Sequence, residues 1–514
     1  MTRTNENKMN IEEPFQQLDM KFADTEAGNR DRFVALNKGK CIYVTDIKRW
    51  TIWDGMRWRI TDIAPIMKLA DEAAKSIFNE ARDCQNSEGM RRLTSWAYRS
   101  QSQQRLGAMA SMAAKWPEMT AELKEFDQDP DLLNCLNGVV HLPTGELLGH
   151  HASQKIMKLV RVEYQPHARC PVFDKFIKEI FMNDNELIAW VQLALGYQLT
   201  GHTSEQAFFA AYGTGANGKS TLYEAINDIM GDYSSAMQFE TVLAGDKSNT
   251  RTLEAIGNLR GIRMATASEV DSNKKLSEAI IKQLTGGDTL TGASLYAGTY
   301  QFSPTHKINL LANHMPYTKD ASHGMARRIK IIPFMRRFGS EERDITLPSK
   351  LRGEYKGVLA WLIRGSRRWF SKVEANNGQP ALGSCHAVDE ATQNYITDND
   401  TFGAFLNDCT VKDVEAMSNA GDLYASYQDW SRENGEQYQM STGIFSARLQ
   451  ERGFQKKRTS SGNVYLGLSL TLKQQGISNY IVVSAGCVGS NHNFSILTIP
   501  IESLGIGLHT LHNR

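Results

Sequence analysis

Residues 213 to 220 read Gly-Thr-Gly-Ala-Asn-Gly-Lys-Ser and fit the spacing G-x-x-x-x-G-K-[ST]. What flanks the octet restricts the fold further. "AFFAAY" (207–212) is an unbroken apolar run of strand length, and "KSTLYEAINDIM" (219–230) is a helix-forming run closed by Gly231. Strand, glycine loop, helix is the order in which backbone N–H groups converge on a phosphate at the positive end of a helix. Lys219 would neutralise the β- and γ-phosphates and Ser220 would ligate Mg²⁺. The pattern predicts an α/β fold with a central parallel sheet and a nucleotide held by Gly213, Thr214, Gly215, Ala216, Asn217, Gly218, Lys219, Ser220 and Thr221.

Such a loop serves kinases, switches and motors alike, so the acid and the sensor must be sought downstream. "IRMATASEVD" (262–271) is an apolar strand ending in Glu269, a carboxylate placed for a metal and an attacking water. Ser268 stands where many NTPases carry another acid, and Asp271 is assigned to capping the next turn. "KINLLANH" (307–314) ends in Asn313, suited to orienting the hydrolytic water. "IKIIPF" (329–334) follows Arg327 and Arg328. An arginine there can reach a nucleotide, and in ring ATPases it reaches the neighbour's.

A chain of 514 residues exceeds one core and predicts roughly three units. A net charge of +1 excludes a globally basic protein that coats nucleic acid, so DNA contact must come from local patches such as 324–337, 362–369 and 455–458. Seven scattered cysteines without a C-x-x-C pair speak against disulfides and a zinc ribbon, leaving them as packing residues. No apolar run is long enough to cross a bilayer and the N-terminus has no signal-like segment, which together predict a cytoplasmic location.

Residues 33–62 read as short strands, with Asp54-Gly55 marking a turn. Trp50, Trp53 and Trp58 lie among Lys48, Arg49, Arg57 and Arg59. They suit base stacking or the core of a small sheet, and burial preference favours the core. A polar helical stretch (62–125), a turn-rich β-like segment ("DPDLLNCLNGVVHLPTGEL", 129–147) and a further helical stretch (171–201) lead to the glycine loop. Past residue 370 come helices over "FGAFLND" and "AGDLYASYQDWSREN". An amphipathic helix capped by Ser441 and a basic hairpin turning at Ser461-Gly462 follow. That order is the order of a winged helix-turn-helix.

The motifs "GTGANGKST", "ATASEV", "GMARRIKIIPF" and the long segment 281–316 resemble superfamily 3 helicases of the AAA+ class. The likeness is to the phage/plasmid primase-helicase group related to poxvirus primase-helicases. "LLNCLNGVVHLPTGEL" and "WVQLALGYQLTG" extend the resemblance upstream, to about residues 30–370. It implies an AAA+ P-loop core at 205–370, preceded by an α+β region (1–165) and a helical collar (166–204). A winged-helix-like domain (371–470) would follow, then a tail (471–514) of unknown role. It implies ATP and Mg²⁺ at Gly213, Gly218, Lys219 and Ser220, Glu269 as the Walker B acid and metal ligand, Asn313 as sensor and Arg328 as arginine finger. It further implies a homo-oligomeric ring, taken as a hexamer, with single-stranded DNA in its channel gripped by a hairpin at 288–303. Duplex DNA would meet the C-terminal module, and a separate primase would be a partner. This chain departs from the group in carrying Gly292, Ala293 and Ser294 where relatives often carry an arginine, which leaves Lys307 or Tyr296 as substitutes. The D-x-D pairs Asp127/Asp129 and Asp398/Asp400 lie in polar turns, so no primase domain is expected.

The expectation is therefore an ATP-hydrolysing DNA helicase or replication initiator of a phage or mobile element. Its rivals are a P-loop kinase, against which the asparagine sensor argues, and a DNA-binding initiator whose ATP site controls only assembly.

Overall fold

The computed structural model describes residues 22–243, 249–268, 275–294, 298–318, 323–435, 439–460, 462–471, 480–484 and 496–500. Its contacts divide the chain into two units, Met1–Thr318 with Ser322–Gln393, and Lys319–Ala321 with Asn394–Arg514.

The centre of the first unit is a five-stranded sheet. Numbering the elements around it in chain order, α1 is Pro171–Ile180, α2 Asn185–Gln198, β1 Phe208–Tyr212, α3 Lys219–Met230 and β2 Ser234–Ala236; β3 is Met264–Ser268, β4 Lys307–Ala312, β5 Ile329–Pro333 and α4 Tyr355–Ala375. The strand order is β5-β1-β4-β3-β2 and every pairing is parallel. Parallel strands covered on both faces read as continuous apolar runs, which is why "FFAA" of β1 is buried without alternation. Helices α2 and α4 cross at a glycine pair. A Cβ on Gly196 would lie 2.2 Å from the Gly365 carbonyl carbon, and one on Gly365 would lie 2.1 Å from Gln192 O. Mid-helix glycine costs about 1 kcal/mol against alanine; here it permits backbone-to-backbone contact.

Before the sheet lie a four-stranded sheet containing the strands Arg49–Trp53 and Trp58–Thr61, three helices between residues 63 and 113, and a three-stranded meander over residues 132–148. The expected turn at Asp54-Gly55 is present, with Trp53 paired to Trp58. Trp50 and Trp58 are core residues, and Trp58 Nε1 donates to Ala152 O at 2.8 Å. Two buried cations brace the start of the central strands, and the first also reaches the meander. Arg263 donates to Leu199 O (2.5 Å) and Leu132 O (2.6 Å), and its guanidinium lies over the Tyr233 ring. Lys307 donates to the carbonyls of Thr200, His202 and Thr305. Lys307 is only 2% exposed, so it does not substitute for a DNA-contacting arginine; burial, followed by the Arg263 charge, pulls its pKa well down. Tyr296 lies outside the described residues.

Leu290–Ser294 and Gly298–Phe302 form an antiparallel hairpin, within the range expected for one. Its first strand lies against the helix Asn249–Gly257. A Cβ on Gly292 would fall 2.5 Å from Gly257 Cα, so a backbone passes where any larger side chain would have to stand.

In the second unit the order is helix Thr401–Cys409, strand Thr410–Asn419, helix Ala420–Glu433, helix Thr442–Glu451, strand Lys456–Thr459 and strand Gly462–Leu470. Ser441 caps its helix as expected, accepting from Ile444 N. Of the expected hairpin turn, Ser461 lies outside the described residues, and Gly462 pairs with Thr459 and so belongs to the second strand. The strand Thr410–Asn419 was not expected; it forms one edge of the three-stranded sheet. Asp400 caps the first helix and pairs with Arg452 at 2.5 Å. The segments Tyr480–Ser484 and Ile496–Pro500 pair antiparallel. Five of the six described cysteines are buried and all six are free thiols. Among the described residues no helix is long and apolar enough to cross a membrane.

Candidate nucleotide-phosphate site

The loop Gly213–Gly218 leaves the C-terminal end of β1 and delivers the chain into α3 through Gly218, which occupies the N-cap position at φ +84°. Gly215 (φ +89°) is also left-handed, a conformation glycine adopts without strain. The loop is closely packed beneath. A Cβ at Gly213 would sit 2.3 Å from Phe334 O, and one at Gly218 would sit 2.5 Å from Ile180 Cγ2. Both glycines of the signature are thus required by space, and the cradle fits a phosphate bound through backbone N–H groups. Thr214, Ala216 and Ser220 face solvent on the open side.

Lys219 is buried with its ammonium turned back across the loop. It donates to Gly213 O and to Asn313 Oδ1, the latter at 3.1 Å. Asn313 is in reach because β4 pairs with β1 up to Ala312↔Tyr212, which sets the residue after β4 beside the start of the loop. Lysine and asparagine, 94 positions apart in the chain, therefore meet at the ends of adjacent strands. β3 ends at the same edge, with Ser268 opposite Leu311. Glu269 and Asp271 lie outside the described residues.

Arg328 is not brought to this loop within one chain. It precedes β5, whose register with β1 runs from Ile329↔Phe208 to Pro333↔Tyr212. Gly213 and Arg328 thus stand at opposite ends of the strand pair, roughly 20 Å apart at about 3.3 Å per residue. The Arg328 side chain is 8% exposed and donates to Thr285 Oγ1 (3.1 Å), Gly324 O (2.7 Å) and Gln206 Oε1 (3.1 Å). Its neighbour Arg327 is exposed and shares the Gln206 acceptor at 2.9 Å.

Motif spacing did not reveal the wall beside the loop. A cavity of about 920 Å³ opens there between Val172 and Phe176 of α1, Ala216 and Thr221, and Phe338 and Leu347. Phe338 N donates to Ala216 O at 2.8 Å, and Asn217 Nδ2 donates to Phe334 O at 3.3 Å, so the segment after β5 is bonded to the loop. The signal available in the sequence was the amphipathic pattern of "PVFDKFIKEI", whose apolar face supplies that wall.

A parallel five-stranded sheet with a glycine loop between its first strand and the following helix defines a mixed α/β protein with a P-loop-like core. Residues 30–182 match the family described as D5 N terminal like, and residues 397–468 match that described as Poxvirus D5 protein-like. The chain thus carries a match to each of these two domains. It is 25% identical over 335 residues to "Putative helicase L207/L206" of Acanthamoeba polyphaga mimivirus, covering 61% of this chain and 34% of that protein. It is 18% identical over 335 residues to "Putative primase C962R" of African swine fever virus (isolate Tick/Malawi/Lil 20-1/1983), again covering 61% and 34%. The chain thus spans about a third of the length of these relatives. Among solved structures, the apo C-terminal region (305-718) of NrS-1 matches at 9% identity with a TM-score of 0.47, covering 85% of this chain and 98% of that one.

Proposed function

We propose that this chain is the motor of an ATP-dependent, ring-forming DNA helicase of viral or phage replication, of the AAA+ superfamily 3 type. The observation that carries the reading is the meeting of Lys219 with Asn313 at the mouth of a glycine-lined loop. A lysine for phosphate charge and an amide for the attacking water are what phosphoanhydride hydrolysis requires. The nucleotide would be ATP, held by residues 213–221, with Mg²⁺ on Ser220 and Glu269. When bound, the metal would neutralise charge developing on the phosphates. The resemblance to ring ATPases and the distance of Arg327 and Arg328 from their own loop support completion of the site by the next subunit's arginine. The helix-strand-helix-helix-hairpin order of residues 401–470 supports a winged helix reading duplex DNA, with Lys456, Lys457 and Arg458 on the wing.

ATP turnover of the purified chain, with and without single-stranded DNA, is the test. Lys219→Ala should leave the fold intact and abolish hydrolysis, and wild-type turnover in that variant would sink the reading. Hydrolysis indifferent to any DNA would favour the initiator whose ATP site governs assembly alone. Neutralising Lys456, Lys457 and Arg458 should weaken duplex binding and lower its salt slope by up to about 2.7, at roughly 0.9 per phosphate. An unchanged slope would make the second unit a protein-docking module.

A further inference from the structure

A second cleft, of about 720 Å³, opens in the first unit between the N-terminal sheet and the edge of the central one. Arg49, Arg57 and Arg59 line it from the paired strands 49–53 and 58–61, Lys158 from the loop after the meander, and Arg260 from the turn after helix 249–257. Two carboxylates of the lining, Asp127 and Asp232, stand among these five cations, and Asp54 and Asp62 pair with the arginines from beside it. Arg57 pairs with Asp232. Asp127 Oδ1 accepts from the backbone N–H of Met157 (2.8 Å) and Lys158 (3.3 Å), while its Oδ2 is buried without a hydrogen-bond partner. Arg57 Nε is likewise buried without one.

Cations still outnumber the carboxylates beside them, although Arg260 also donates to Leu123 O. Burial draws the pKa of Lys158 and of Arg260 down, with Asp127 opposing the effect in each. Nearer the mouth, Arg49 pairs with Asp62 at 2.9 Å and Arg59 stands 4.0 Å from Asp54, both arginines more than half exposed. Tyr300, on the second strand of the 290–302 hairpin, completes the rim with its hydroxyl fixed to Gly257 O at 2.9 Å. A held aromatic ring beside a cationic groove is the arrangement that grips an unpaired strand, phosphates to the cations and a base to the ring. The volume suits a few nucleotides of one strand, within the roughly 300–1,000 Å³ of ordinary ligand sites.

We propose that this cleft binds the phosphodiester backbone of a single nucleic-acid strand, making the N-terminal region a strand-contacting surface in its own right. The proposal rests on the reading of the chain as a DNA-acting motor, but its test does not need ATP turnover.

The binding of fluorescent oligothymidine to the full chain is measured without nucleotide across a salt series. Arg49→Gln/Arg59→Gln alters two exposed side chains that the core does not need, and Lys158→Gln alters the floor. The double variant should bind about tenfold more weakly, with a salt slope lower by about 1.4, at roughly 0.7 per single-strand phosphate. Lys356→Gln/Lys372→Gln, at exposed positions of α4 outside the basic patch 362–369, should change neither quantity. Basal ATPase should be unchanged in all these variants. Oligothymidine affinity and slope unchanged in a folded Arg49→Gln/Arg59→Gln protein would overturn the proposal. Loss of binding of free ATP or inorganic phosphate at the cleft with oligothymidine affinity intact would also overturn it, in favour of a mononucleotide site. Strand binding lost in the variants of a chain that never hydrolyses ATP would uphold the cleft and sink the motor.

Discussion

Among the described residues Lys219 directs its ammonium to Gly213 O and Asn313 Oδ1. On the proposed reading, a phosphate arriving at the loop would exchange with them, so that the lysine would couple occupancy to the end of β4. The lysine and its loop were legible from spacing alone, because the whole pattern falls within eight consecutive residues. His306 was not legible, since nothing in "SPTHK" distinguishes a buried imidazole from an exposed one. It is buried with no well-placed hydrogen-bond partner on either ring nitrogen, and burial, with Lys307 adding to it, lowers its pKa to about 4. Above about pH 6.5 the unfolded chain is neutral at this histidine too, and its contribution to stability is fully present. As pH falls from 6.5 toward 4 the unfolded chain takes up a proton that the folded form excludes, and stability declines, by about 2 kcal/mol at pH 5. Urea denaturation at pH 7 and pH 5 should show that loss, and His306→Gln should remove most of it. An equal loss in the variant would assign the pH dependence to other groups.

The elements divide by how strongly one face is dictated. β1 and β4, covered on both sides, and α1, with one apolar stripe, can be read directly. The strand Thr410–Asn419 cannot. It is exposed along most of its length, shifts register between Lys412 and Met417, and shows neither alternation nor an apolar run. The hairpin 290–302 is intermediate: its strands are visible, whereas the meaning of Gly292 appears only beside Gly257. Because a Cβ there meets backbone, Gly292→Ala should destabilise the first unit by about 1–3 kcal/mol, seen as a lowered melting temperature. A variant melting with the wild type would show that the helix yields at no cost, and an arginine at this position would then be compatible with the fold.

At the scale of the whole molecule, the proposed reading makes the nucleotide loop one side of a site shared between subunits. The two arginines before β5 differ in availability: Arg327 is exposed, while Arg328 holds three acceptors within its own chain. That favours Arg327 for reaching across to a neighbour and Arg328 for bracing the turn. Arg327→Ala should keep its melting temperature and still bind ATP, yet hydrolyse it about 10³-fold more slowly. Arg328→Ala should lose about 2–4 kcal/mol of stability as well, through charged hydrogen bonds to buried acceptors. Mixing Arg327→Ala with Lys219→Ala subunits should restore part of the activity, because some interfaces then pair an intact loop with an intact arginine. Wild-type turnover in Arg327→Ala would return the role to Arg328, and co-assembly of the mixed variants without recovery would refute a site shared between subunits.

Lys307 has a mechanical consequence. It begins β4, the strand that ends beside Asn313, and it follows the hairpin's last strand by only a short loop. Three carbonyl anchors, two of them just past α2, make this end of the strand a clamped beam. The root of the hairpin is therefore stiff with respect to the helices before the sheet. If the proposed motor moves this hairpin, the helices before the sheet would move with its root, since a local swing of the loop would have to extract a buried ammonium from its carbonyl cage.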